Sequence, residues 1–121
     1  MGNIVKKILV ANRGEIALRV VRTAREMGIS TVAVYSEQDR NAQYVQLADE
    51  SYLLSGDTYA STYLNEDLLI GILHRSGANA VHPGYGFLSE VPSFAQKVED
   101  AGAIWVGPHH TALVDLGDKI T

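Results

Sequence analysis

Short apolar runs alternate along this chain with segments in which apolar residues recur at helical spacing, and that alternation constrains the fold more than any other feature. Ile8-Leu9-Val10-Ala11 follows two lysines as a continuous apolar run, which suits a strand buried on both faces. From about Glu15 to Met27 the residues Ile16, Val20, Ala24 and Met27 repeat at helical spacing, and Gly28 follows as a C-terminal stop. Thr31 to Tyr35 reads as a second strand. Val45 to Ala48 has room for one or two turns of helix, and Tyr52-Leu53-Leu54 reads as a third strand. Asn65 can cap a helix over residues 65–75 that turns Leu68, Leu69, Ile72 and Leu73 inward. Ala80-Val81 leads a fourth strand into His82-Pro83. Ser89 or Ser93 then caps a helix over residues 94–101, and Ile104-Trp105-Val106 makes a fifth strand. Thr111 opens another helix that reaches Thr121 without a stop signal, so we expect further chain beyond it. About five alternations give an α/β fold, a parallel sheet flanked by helices. Ligands of such sheets sit at the carboxyl ends of the strands. The loops to watch are therefore residues 12–15, 36–40, 82–90 and 107–110.

Composition narrows the function classes. The 121 residues suit one domain, and 46% hydrophobic content is enough for a core. A net charge of -4 argues against a nucleic-acid partner, which needs a basic field. With no cysteine, disulfides, thiolate nucleophiles and thiolate metal sites are excluded. The N-terminus lacks the apolar core of a signal peptide, and no stretch approaches the roughly 20 apolar residues of a membrane span. Gly2 lacks the Ser or Thr at position 6 that myristoylation requires, since Lys6 stands there. We expect a soluble cytoplasmic protein with no membrane partner.

The loops carry the chemistry. Asn12-Arg13-Gly14-Glu15 has one glycine where a dinucleotide fold needs G-x-G-x-x-G, so the pyrophosphate-cradling logic fails. It lacks the acidic cluster of a response regulator as well. The loop reads as a tight turn, with Glu15 at the positive end of the helix. On that helix Arg19, Arg22 and Glu26 form a polar stripe. Arg22 and Glu26 can pair across one turn on a solvated face, or serve a subunit contact. His82-Pro83-Gly84-Tyr85-Gly86-Phe87-Leu88-Ser89-Glu90 is the most informative segment. Glycines on both sides of Tyr85 let the backbone bend and expose the ring. That makes either a platform for a flat ligand or a packed Gly/Pro turn. His82 reads as a hydrogen-bonded structural residue, His109-His110 as surface, and Lys119 as either a surface lysine or a phosphate contact.

These segments together resemble the start of the biotin carboxylase component of the biotin-dependent carboxylases, a set that includes acetyl-CoA, propionyl-CoA and pyruvate carboxylases. The matching runs are residues 8–17 (ILVANRGEIA), 34–36 with Asp39, 47–50 (LADE), 61–65, 82–90 (HPGYGFLSE), 105–108 (WVGP) and 117–119 (GDK). They stand in family order across essentially the whole chain. The pattern departs at Val91, where the family usually has Asn, and at Tyr44, where it often has His.

The resemblance implies a Rossmann-like first domain over residues 1–121, ahead of ATP-grasp and C-terminal domains that are not in this chain. The implied reaction joins bicarbonate to a ureido nitrogen of biotin while ATP becomes ADP and phosphate. Its cofactors are ATP with magnesium, and biotin on a carrier domain. By position, Lys119 resembles the first ATP-binding lysine. Tyr85 and Gly86 resemble residues lining the biotin pocket, and Glu90 a polar contact beside it. Arg22 and Glu26 fall on a helix implied at a homodimer contact. A biotin carboxyl carrier domain and a carboxyltransferase are the further implied partners. The glycine-rich lid, the metal-holding carboxylates and the groups that handle bicarbonate come later in the family's chain. We therefore expect no catalytic residue, no metal ligand and no turnover in this stretch alone. The competing expectations are another ATP-grasp ligase, such as a carbamoyl-phosphate or amino-acid ligase, and a stand-alone binding module.

Overall fold

A computed structural model describes residues 4–107. Five strands, β1 (Lys7–Val10), β2 (Ser30–Tyr35), β3 (Glu50–Leu53), β4 (Ala80–His82) and β5 (Ile104–Trp105), alternate with four helices, α1 (Gly14–Glu26), α2 (Gln43–Leu47), α3 (Glu66–Ser76) and α4 (Pro92–Asp100). All strand pairs are parallel, in the order β3-β2-β1-β4-β5. The expected five-stranded Rossmann-like sheet is therefore observed.

Alternation along the central strands sorts the core onto two faces. Leu9, Val32, Val34 and Val81 pack with Leu69, Ile72, Phe94 and Val98 of α3 and α4. Val10 and Ala33 pack with Ala17, Leu18 and Val21 of α1, and with Tyr44 and Val45 of α2. Ile8 and Ala80 close the far end of that second face with Ala24. Leu9, Val10, Val32, Ala33 and Val34 are fully buried, as the continuous apolar runs require. Each such Leu or Val contributes about 1.5–3 kcal/mol on burial. An exposed ion pair such as Arg40–Glu37 is screened by water and adds little beside this, so the sheet core dominates.

Helix ends follow local chemistry. The Asn65 side chain accepts from the Leu68 N–H and caps α3, and Gly77 closes that helix at φ 73°. Gly28 (φ 77°) follows α1, as its sequence position indicates. The start of α4 differs from expectation. Its cap residue is Val91, with Pro92 in the first turn, and neither Ser89 nor Ser93 caps it. Ser89 is buried, and the Ser93 hydroxyl donates to Glu66 on α3. Proline supplies the helical φ and leaves one fewer unpaired N–H in the first turn, and the Phe94 N–H bonds the Val91 carbonyl in place of a serine side chain. Val91 itself is extended and packs on the α3–α4 core.

Candidate functional site

Because all five strands are parallel, their carboxyl ends lie along one edge, and the watched loops 12–15, 36–40 and 82–90 meet there. The loop after β4 forms the platform. Gly84 and Gly86 take positive φ (67° and 70°), and the Tyr85 ring between them stands 77% exposed. A Cβ on Gly86 would meet nothing within 4 Å, so its backbone is bare. The Glu90 side chain is exposed at the far end of the same loop. His82 is half-buried, and its Nδ1 accepts from the Gly84 N–H at 3.0 Å. Burial pushes its pKa down, which suits a neutral imidazole acting as acceptor. That is the structural role expected for it.

The loop after β1 lies underneath. Asn12 is buried, and its amide nitrogen donates to the carbonyls of Pro83 (2.8 Å) and Tyr85 (2.7 Å). Its amide oxygen accepts from the Arg13 N–H at 2.8 Å. A Cβ on Gly84 would come within 2.7 Å of that Asn12 nitrogen and of Ile16, so glycine is required where the two loops cross. On the β5 side, a Cβ on Gly107 would come within 2.9 Å of the Pro83 ring.

A polar network ties in the loop after β2. Arg13 grips Asp39 with two hydrogen bonds of 2.6 Å. Asp39 also accepts from the Tyr63 hydroxyl, and Ser36 lies 3.5 Å away. The Tyr63 oxygen accepts from the Ser36 N–H and meets the Tyr44 hydroxyl at 3.1 Å. Tyr44 in turn donates to the Val34 carbonyl. The Arg13 guanidinium holds the Asp39 carboxyl below its ordinary pKa, with Tyr63 and Ser36 adding to that effect. Burial pushes both tyrosines up, so they stay protonated donors. Phe87, at φ 47°, turns its ring onto Tyr63 and Tyr59, with centroids 5.4 and 5.2 Å apart. Phe87 belongs to the platform loop, so the network also contacts that loop, through the Tyr63 ring. Above it opens a recess of ≈ 220 Å³ lined by Arg13, Ser36, Asp39, Asp57 and Thr58.

The structure thus brings Tyr85, Gly86 and Glu90 onto one loop and joins residues 12–15, 36–40 and 82–90 into one assembly. Lys119, His109, His110 and the helix opening at Thr111 lie outside the described residues. Arg22 and Glu26 are exposed on α1 and make no ion pair among the described residues, so their expected pairing across one turn does not form. Sequence reasoning missed the supports. Asn12 and Arg13 read as turn residues, Asp39 as one position of the loop after β2 and of the resemblance, and Tyr63 only as part of the matching run 61–65, after a strand whose loop is not among those to watch.

The arrangement sets an exposed aromatic ring beside open glycine backbone on one loop. A five-stranded parallel sheet flanked by helices, with that loop at its carboxyl edge, defines the class as a Rossmann-like α/β domain. The family described as "Biotin carboxylase, N-terminal domain" matches residues 4–113, and the chain belongs to it. The biotin-dependent acyl-coenzyme A carboxylase alpha3 subunit of Mycobacterium leprae is 54% identical over 97% of this chain and 20% of its own length. The crystal structure of the biotin carboxylase subunit of pyruvate carboxylase superposes with a TM-score of 0.92 at 48% identity, covering 97% of this chain and 26% of that one. The biotin carboxylase domain dimer of the Hydrogenobacter thermophilus 2-oxoglutarate carboxylase, in complex with MgADP, ADP and bicarbonate, gives a TM-score of 0.88 at 43% identity, over 93% of this chain and 25% of that one. The chain therefore spans about a fifth to a quarter of these proteins.

Proposed function

We propose that this chain is the substrate-side first domain of an ATP-dependent biotin carboxylase, which joins bicarbonate to biotin as ATP becomes ADP and phosphate. The observation that carries this reading is the Tyr85–Gly86 platform, an exposed ring beside bare backbone at the carboxyl edge of the sheet. Such a platform fits the flat ureido ring of biotin. Biotin, when bound, supplies the nitrogen that takes the carboxyl group. Tyr85 and Gly86 line its pocket, and Glu90 offers a polar contact beside it. The relative bound to MgADP and bicarbonate supports the choice of co-substrates.

Lys119 is the ATP-binding residue of the proposal, by its place in the Gly117-Asp118-Lys119 run. We assign the magnesium ligands, the lid and the bicarbonate-handling groups to ATP-grasp and C-terminal domains of the complete enzyme, with no turnover from residues 1–121 alone. Arg22 and Glu26, both exposed and unpaired among the described residues, are assigned to a homodimer contact. A biotin carboxyl carrier domain and a carboxyltransferase complete the set of partners.

The test is ADP formation by the complete protein with magnesium and bicarbonate, with and without free biotin, in the wild type and in Lys119→Ala. Biotin should accelerate ADP release, and the substitution should abolish it. ADP formed only with another acceptor, such as ammonia, would overturn the biotin reading.

A further inference from the structure

We infer that Asn12 is a positioning residue for biotin: it holds the Tyr85–Gly86 platform in its binding shape without touching the ligand. The inference rests on the proposed biotin site and names a residue that the site depends on. Asn12 is the side chain that reaches across 73 residues of sequence to fix the backbone carbonyl of Tyr85. It bonds the Pro83 carbonyl on the other side of Gly84 as well, so both ends of the first platform turn rest on one amide. The amide orientation is set by chemistry. Its oxygen faces a donor, the Arg13 N–H, and its nitrogen faces two carbonyls. Asn12 is 1% exposed, so water cannot replace a lost donor without opening the loop. The fit is close, since glycine at position 84 is the residue that leaves room for the amide. Only a side chain with two donors and an acceptor satisfies all three partners.

The consequence is specific. Without Asn12 the carbonyls of Pro83 and Tyr85 lose their donors, the loop samples other shapes, and biotin meets a platform that must be ordered on binding. Affinity for biotin falls by that ordering cost, whereas a nucleotide site built elsewhere keeps its affinity.

The test uses the complete carboxylase with free biotin as the probe, comparing the wild type with Asn12→Ala and Asn12→Asp. Ala removes the donors. Asp sets an oxygen against two carbonyl oxygens, and it regains one donor when protonated. Both variants should raise the KM for biotin about tenfold and leave the KM for ATP within about twofold. In Asn12→Asp, but not in Asn12→Ala, part of the loss relative to wild type should be recovered as the pH is lowered. If one variant fails to fold, Gly84→Ala attacks the same contact from the loop side and should give the same split. A wild-type response to biotin with an unchanged biotin KM in the variants overturns the role of Asn12 alone. So does a KM for ATP that rises in step with that for biotin. A wild type indifferent to biotin overturns the proposed function and this inference together.

Discussion

Asp39 receives donors from Arg13, Tyr63 and Ser36, and those donors come from three separate segments of the chain. Removing this carboxylate leaves the Arg13 charge without its partner and the Tyr63 hydroxyl without an acceptor. Because Arg13 is partly exposed, Asp39→Ala should cost about 2 kcal/mol, below the full figure for a buried pair, as read by urea denaturation. The pH dependence follows from the sign of the shift. The folded pKa of Asp39 is lowered, so its contribution is present above about pH 4 and is lost as pH falls through the folded value. Asp39→Asn should flatten that acid limb. His82 is also lowered, by burial, so its unfolded form binds the proton more readily. Stability should fall as pH drops below about 6.5, and His82→Gln should weaken that dependence. Tyr44→Phe should cost about 1–2 kcal/mol by leaving the buried Val34 carbonyl without its donor. At position 44, where the pattern departs, the tyrosine reaches both Val34 and Tyr63 from α2. Neither the Arg13–Asp39 nor the Tyr63–Asp39 pairing was legible in sequence, because the partners lie 26 and 24 residues apart and no periodicity links them.

Elements were far more legible than pairings. The apolar runs at residues 8–11 and 31–35 mark β1 and β2 because a strand covered on both faces needs apolar residues at every position. Asn65 marks the start of α3 because its side chain can take the Leu68 N–H, and the bond is present. Asn65→Ala should lower stability by about 1 kcal/mol, measurable as a shift in the urea midpoint with an unchanged slope. The serine caps proposed for α4 fail because two devices compete at that point. Proline at the helix start leaves one fewer unpaired N–H in the first turn, and Glu66 recruits the Ser93 hydroxyl instead. The platform loop was half legible. Its glycines announced a sharply bending backbone but left Tyr85 open between an exposed and a packed ring; the structure exposes it. The positive φ of Phe87 was not announced, because it depends on stacking against Tyr59 and Tyr63 from a distant segment.

At the scale of the whole molecule, α1 carries two surfaces. One is an apolar groove of ≈ 710 Å³ running past Ile4, Val20 and Met27 to Tyr85. The other is the polar stripe with Arg22 and Glu26. If the stripe meets a second subunit, Arg22→Glu should dissociate the complete enzyme in sedimentation experiments. Pairing that change with Glu26→Arg should restore part of the association; a single variant that stays associated would remove these residues from the interface. The Tyr85 loop sits on the carboxyl edge of the sheet, and the stripe lies on an exposed face of α1. We propose that this edge presents Tyr85 to biotin, and the biotin dependence of ADP formation by the complete carboxylase, in wild type and Tyr85→Ala, tests it. The expected result is a biotin KM raised about tenfold or more with the KM for ATP retained. A biotin KM equal to that of the wild type would contradict it.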